Sequence, residues 1–276
     1  MTAVGFSRTG RGEPLVLLHG LGSARGAWDP VVPALTEHFD VIALDLPGFG
    51  TSAPLPPGVE PSPAELAIAV AGLLDALRVD RPHLVGHSLG GWVAIELAKT
   101  RPVRTVTLVS PAGLWRRGTP LYSRLTLRLA HWLSRRGGRA LSRMVATRPG
   151  RILMFGQMSA HPARATTAQA RSALRAMAAC PGFDATLRAT TDRRLQDAQG
   201  ITAPLTVVFG SHDRVLLRRQ SRVLAELPVG TRADTLPDCG HVPMGDDPAG
   251  VVALILASTL VRQLPEKLQQ PGGEPP

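Results

Sequence analysis

Cysteine is scarce in this chain of 276 residues. The two present, Cys180 and Cys239, lie far apart and outside any metal-ligand spacing. That excludes a multiply stapled scaffold and a cysteine zinc site; a single disulfide stays open beside the favoured reading of two free thiols in a reducing compartment. The eight histidines never form His-Glu-x-x-His or a related pattern, so no metal is expected. Long hydrophobic runs are missing as well: the longest strongly apolar stretch, Val251 to Val261, is too short to cross a bilayer. The opening residues, Met1-Thr2-Ala3-Val4-Gly5, lack the basic, apolar and small-residue series of a secretory signal. A cytoplasmic protein is the expectation.

Acids are short in one segment in particular. Between Pro111 and Leu195 sixteen arginines stand against two acids, Asp184 and Asp192, giving +14 there and −4 over the rest of a chain of net charge +10. Lysine is nearly absent too, only Lys99 and Lys267 among 31 basic residues. A biased base composition accounts for arginine over lysine but not for the shortage of acids. No nucleic-acid partner is expected. The basic segment reads either as a solvated arginine-rich face or as a field steering an anionic substrate or an acidic carrier protein.

What is present is an alternation of short apolar runs and helical spacings. Pro14 to Leu18, Asp40 to Leu44, His83 to Val85 and Val103 to Val109 read as strands. Between them, Leu66, Val70, Leu73, Leu74 and Leu77 fall at helical spacing within Pro61 to Leu77, with Pro63 where a first-turn proline is tolerated, and Gly91 to Lys99 reads as a second helix. Such alternation implies a mostly parallel sheet covered by helices on both faces. From Pro111 to Leu195 the strand signal stops. Leu121, Leu125, Leu129 and Leu133 recur every four residues, and Ala168 to Ala179 is a second good helix former, so this segment reads as a helical insertion. Leu121, Tyr122, Leu125, Leu129, Trp132 and Leu133 are expected to turn inward as its apolar face. Alternation then resumes with a strand at Leu205 to Phe209, a helix at Leu216 to Leu227, a short strand at Ala233 to Leu236 and a helix from Gly250 to Leu264. The polar, Pro- and Gly-containing end reads as disordered. The expected division is a core of 1–110 and 196–264, a helical cap of 111–195 and a tail of 265–276.

One string carries chemistry. Gly86-His87-Ser88-Leu89-Gly90-Gly91 follows a predicted strand and opens a predicted helix. A sharp turn there lifts a serine hydroxyl above the sheet edge, and Gly86 and Gly90 remove side chains that would clash across it. The helix that starts at the turn aims unpaired N–H groups and its positive dipole end at the hydroxyl.

From His19-Gly20 to the helix after His241, the chain resembles the α/β-hydrolase superfamily. The resemblance implies an α/β-hydrolase fold with an inserted helical cap, and a nucleophile, acid and base in the order Ser88, Asp213, His241. Asp213 stands in Gly210-Ser211-His212-Asp213-Arg214 directly after an apolar strand, and His241 in Asp238-Cys239-Gly240-His241-Val242-Pro243 before the last helix. The alternative acid position used by some members reads Val109-Ser110-Pro111 here and offers no carboxylate. The turn His19-Gly20-Leu21-Gly22 implies an oxyanion hole made by the backbone N–H groups of Leu21 and Leu89. Asp45 to Ser52 resembles a structural loop of the family. His87 is expected to point away from the hydroxyl, and Cys239 to be a buried neighbour. Serine at the turn separates the chain from members with aspartate there, the haloalkane dehalogenases and epoxide hydrolases, and from the cysteine-bearing dienelactone hydrolases.

The implied activity is hydrolysis of a small or medium carboxylic ester through an acyl-enzyme, with no cofactor. The same three residues also serve thioesterases, carbon–carbon bond hydrolases and perhydrolases. A weakly catalytic ligand receptor on the same scaffold is the reading of another class.

Overall fold

In the computed structural model, which describes residues 2–260, seven strands form one sheet. They are β1 (Phe6–Gly10), β2 (Glu13–Leu18), β3 (Phe39–Leu44), β4 (His83–His87), β5 (Thr105–Val109), β6 (Leu205–Gly210) and β7 (Arg232–Leu236). Their order across the sheet is β1-β3-β2-β4-β5-β6-β7, with β1 antiparallel to β3 and every other pair parallel. The helices are α1 (Val32–Leu35), α2 (Pro63–Ala76), α3 (Leu89–Thr100), α4 (Leu121–Met144), α5 (Arg148–Phe155), α6 (Thr167–Ala178), α7 (Phe183–Thr191), α8 (Arg218–Ser221), α9 (Pro243–Asp246) and α10 (Pro248–Thr259).

Continuous apolar runs make the inner strands because both sheet faces are covered and alternate residues go to opposite sides. Val16, Leu18, Ile42, Leu44 and Leu84 pack into the core beneath α2 and α3, whereas Leu15, Leu17, Val41, Ala43 and Val85 pack into the second core with Val251, Leu254 and Ile255 of α10. The α2 start follows its sequence signal: Ser62 Oγ accepts from the Glu65 N–H and Pro63 occupies the first turn.

One strand was not read from the sequence, and two expectations are corrected. The edge strand β1 has five exposed residues and no apolar alternation, so nothing in Phe6–Gly10 marked it. It is held by the ladder to β3 and by an Arg8–Asp40 ion pair of 2.6 Å. The helix expected over Leu216 to Leu227 is reduced to the single turn α8. Beyond that turn, Val223 N–H donates to Leu114 and Arg222 donates to the Gly210 carbonyl while stacking on Phe209, and these tertiary bonds draw the backbone out of the helix. The second correction concerns α4. Leu121, Tyr122, Leu125, Leu129 and Trp132 are 45–60% exposed, so the leucine stripe faces outward. Only Leu133 packs inward, beside Leu141 and Val145. The inner face of α4 is instead made by Ser123, Leu127 and His131. Ser123 Oγ donates to the Val215 carbonyl, Leu127 packs on the main core, and His131 stacks on Phe183 and bonds the Met177 carbonyl.

The helical insertion leaves the sheet after β5 and returns before β6. It meets the loops at the carboxyl ends of the strands. Gly182 N–H donates to Gly48 O, and Val242 N–H to Met158 O. The Asp246 carboxylate accepts from Ser159 Oγ and from the N–H groups of Ala160, His161 and Gly240. The expected tail at 265–276, with the last residues of the predicted final helix, lies outside the described residues. No helix among the described residues is long and apolar enough to cross a membrane.

Candidate active site

The turn between β4 and α3 holds Ser88 at φ 52° and ψ −116°, a left-handed conformation that costs a side-chain-bearing residue about 1–3 kcal/mol. The surroundings impose it. A Cβ on Gly86 would fall 2.3 Å from Gly90 O, and one on Gly90 2.3 Å from Leu18 O, so both positions exclude any side chain. Ser88 N–H is tied to Val109 O, and Ser88 O accepts from Gly91 and Ala112. Ser88 stands at the N-cap of α3, yet its hydroxyl makes no cap bond. It is half-buried and meets His241 Nε2 at 3.1 Å.

His241 sits in the loop between β7 and α9, and Asp213 in the loop after β6; both are buried. His241 Nδ1 lies 2.9 Å from Asp213 Oδ2, while Asp213 Oδ1 accepts from the N–H groups of Val215 and Leu216 at 2.9 and 2.8 Å. Burial works against the Asp213 charge. The His241 ring beside it and the bonds to His241, Leu216 and Val215 outweigh that, bringing the carboxyl down to about 2. An ionised carboxylate only accepts, so the proton of neutral His241 belongs on Nδ1, and Nε2 presents its lone pair to the Ser88 hydroxyl. The structure thus brings Ser88, His241 and Asp213 into one relay that can take a proton from a serine.

Leu21 follows His19-Gly20 at the end of β2, and Leu89 begins α3. Among the described residues neither backbone N–H donates to another group of the chain. His19 fixes this turn: its Nδ1–H donates to Gly20 O at 2.7 Å and its Nε2 accepts from Leu46 N–H at 3.0 Å. Burial drives its imidazole down to about 4, so it stays neutral. His87 turns away from the hydroxyl as expected. Its Nε2–H donates to His241 O at 2.8 Å, and burial followed by the neighbouring His241 drives it down to about 3. Cys239 is buried with its thiol pushed up to about 11 by burial and by Asp246, Asp247 and Asp238, which keeps it out of thiolate chemistry. Asp238 is exposed and lies beside His212, 4.0 Å from its Nδ1.

Two side chains of the insertion reach the turn that carries Leu21. Met177 and Phe183 lie against Gly22, and Leu21, Leu127, Met158 and Met177 pack on the core that contains Leu89. The Asp45 to Ser52 loop is braced by its own carboxylate, which holds the Arg25 side chain and N–H and the Thr51 N–H. Sequence reasoning missed Asp246, the buried carboxylate that ties residues 159–161 to the loop carrying His241. Its only sequence signal is an acid five residues after the histidine. No group of three or more His, Cys, Asp or Glu among the described residues is arranged to hold a metal ion.

The profile of the alpha/beta hydrolase family matches residues 15–254. The epoxide hydrolase EphH of Mycobacterium tuberculosis is 35% identical over 207 residues, covering 70% of this chain and 93% of the relative. A pimeloyl-[acyl-carrier protein] methyl ester esterase of Aeromonas hydrophila is 44% identical over 111 residues, 40% of this chain and 42% of the relative. Among solved structures, a hydrolase from Pseudomonas aeruginosa PA01 superposes with a TM-score of 0.73 at 27% identity, covering 94% of this chain and 95% of that one. With the profile spanning most of the residues and a seven-stranded, mostly parallel sheet beneath it, the chain belongs to the alpha/beta hydrolase family and is a hydrolytic enzyme.

Proposed function

We propose that the protein hydrolyses a small or medium carboxylic ester through an acyl-enzyme on Ser88. The observation that carries this reading is the continuous hydrogen-bond line from Ser88 Oγ through His241 to Asp213. His241 Nε2 takes the hydroxyl proton as Ser88 attacks the ester carbonyl, and the N–H groups of Leu21 and Leu89 receive the developing oxyanion. His241 then protonates the departing alcohol. A water molecule, deprotonated by the same nitrogen, releases the acid and restores the serine.

Although EphH is named an epoxide hydrolase, serine chemistry argues against that reaction here. A serine that opens an epoxide becomes an alkyl ether, which water does not cleave; an acylated serine is an ester, which it does. The helical insertion acts as the cap, with its Met158 and Met177, together with Leu21 of the core, offering partly exposed apolar surface to the acyl chain, in keeping with an uncharged acyl group of modest size. The test is a panel of p-nitrophenyl esters, thioesters, vinylogous diketones and epoxides. Turnover of acetate and butyrate esters that disappears in Ser88→Ala is the expected result. Ester turnover that survives Ser88→Ala, or epoxide turnover without ester turnover, overturns the reading; tight ester binding with no turnover would turn it into a receptor.

A further inference from the structure

The stripe on α4 that faces outward runs along one side of the helix. Leu121, Leu125, Leu129 and Trp132 fall at i, i+4, i+8 and i+11, a line about 16 Å long, with Tyr122 beside it. Arg128 and Arg135 edge the stripe, and Arg136 continues it with its guanidinium 5.3 Å over the Trp132 ring. Among the described residues none of these three arginines is in an ion pair, and the segment from Pro111 to Leu195 that holds them contains two acids against sixteen arginines. The opposite side of α4 is already committed, through Ser123, Leu127 and His131, to the body of the enzyme. The outward side is therefore available as it stands, without unfolding the insertion.

We propose that this face of α4 docks the enzyme on an anionic lipid surface. The leucines and Trp132 enter the headgroup boundary, and Arg128, Arg135 and Arg136 pair with lipid phosphates. Apolar and cationic residues play complementary parts at such a boundary: the apolar side chains leave water, while long arginine stems keep their charges among the phosphates. Tryptophan and tyrosine, amphipathic rings with a polar edge, suit the same depth. A second copy of this chain fits less well, because two such faces would set unpaired arginines against each other. A protein partner offers no better match, since the stripe is convex and gives a protein side chain no pocket to fill. The proposal does not depend on the ester reading, because α4 carries none of the residues assigned to the reaction.

Trp132 makes the test direct. Trp28, Trp92 and Trp115 are buried and Trp132 is half exposed, so a change in tryptophan emission on binding reports the stripe. The full chain is mixed with phosphatidylcholine vesicles with and without phosphatidylglycerol, and binding is followed by flotation and emission. Expected are binding to the anionic vesicles only, a blue shift absent in Trp132→Phe, and weakening with salt. The exposed Leu125→Glu/Leu129→Glu pair should weaken binding tenfold or more, and each Arg→Gln at 128, 135 or 136 about fivefold. Thermal unfolding confirms that each variant is folded. Four results overturn the proposal: no binding to anionic vesicles at low salt, binding that the Leu→Glu pair leaves intact, a blue shift produced by an acidic protein but not by vesicles, or a dimer abolished by the same pair.

Discussion

At the scale of single residues, the site depends on which nitrogen of His241 carries the proton. Asp213 settles it by being ionised. Its carboxyl stays at about 2 although burial opposes the charge, because His241 and the N–H groups of Leu216 and Val215 all favour the anion. In Asp213→Asn the amide oxygen can still accept from those N–H groups, which leaves its NH2 facing His241 Nδ1. Nδ1 must then accept, the proton moves to Nε2, and Ser88 loses its base. kcat is expected to fall by roughly 10⁴ with little change in Tm; steady-state kinetics that give near-normal turnover would move the acid elsewhere. Ser88 was legible from its setting, a serine between glycines after a strand and before a helix, whereas Asp213 and His241 were anticipated through the chain order that the family resemblance implies. His19 was legible only as part of a turn, since its work is to satisfy two backbone groups and such work leaves no spacing signature.

The elbow between β4 and α3 and the leucine periodicity of α4 were both visible in the sequence, yet only the first was placed correctly. A periodic apolar stripe shows that a helix forms and which residues share a face; it does not show which side meets the protein. In α4 the inner face uses Ser123 and His131 to satisfy carbonyls of Val215 and Met177, so polar residues lie beneath and leucines outside. The exposed β1 carried no pattern at all. The insertion is joined to the base-carrying loop by Asp246, which no periodicity could indicate. Asp246→Ala leaves the Ala160, His161 and Gly240 N–H groups without their acceptor. It should cost about 3 kcal/mol and lower Tm by roughly 5 °C, with a further loss of kcat as the His241 loop loosens. Calorimetry with an unchanged Tm would show that the clamp carries no stability.

Over the whole molecule, the sheet order sets where everything else falls. The strand alternation in the sequence was enough to anticipate the parallel sheet, and the candidate site is built from the loops that follow the carboxyl ends of β2, β4, β6 and β7. Acid response is also a property of the whole. His19 and His87 titrate at about 4 and about 3 in the folded chain, below the ordinary 6.5, because burial disfavours their charged forms. On acidification the unfolded chain takes up these protons first. Stability is thus full above about pH 6.5 and falls as pH drops toward the two folded values, by up to about 1.4 kcal/mol per pH unit for each histidine. Asp213, lowered from 3.8 to about 2, adds a loss in the same direction at lower pH. Tm measured from pH 7 to 4 should fall, and less steeply in His19→Asn; a flat profile in the parent chain would contradict neutral burial of these rings. The central claim, a covalent intermediate on Ser88, is tested most directly by acid-quenching the enzyme during turnover of p-nitrophenyl butyrate and mapping the peptides by mass. The account predicts one butyryl group, carried by Ser88; rapid turnover with no acylated peptide, or with the acyl group on another residue, would contradict it.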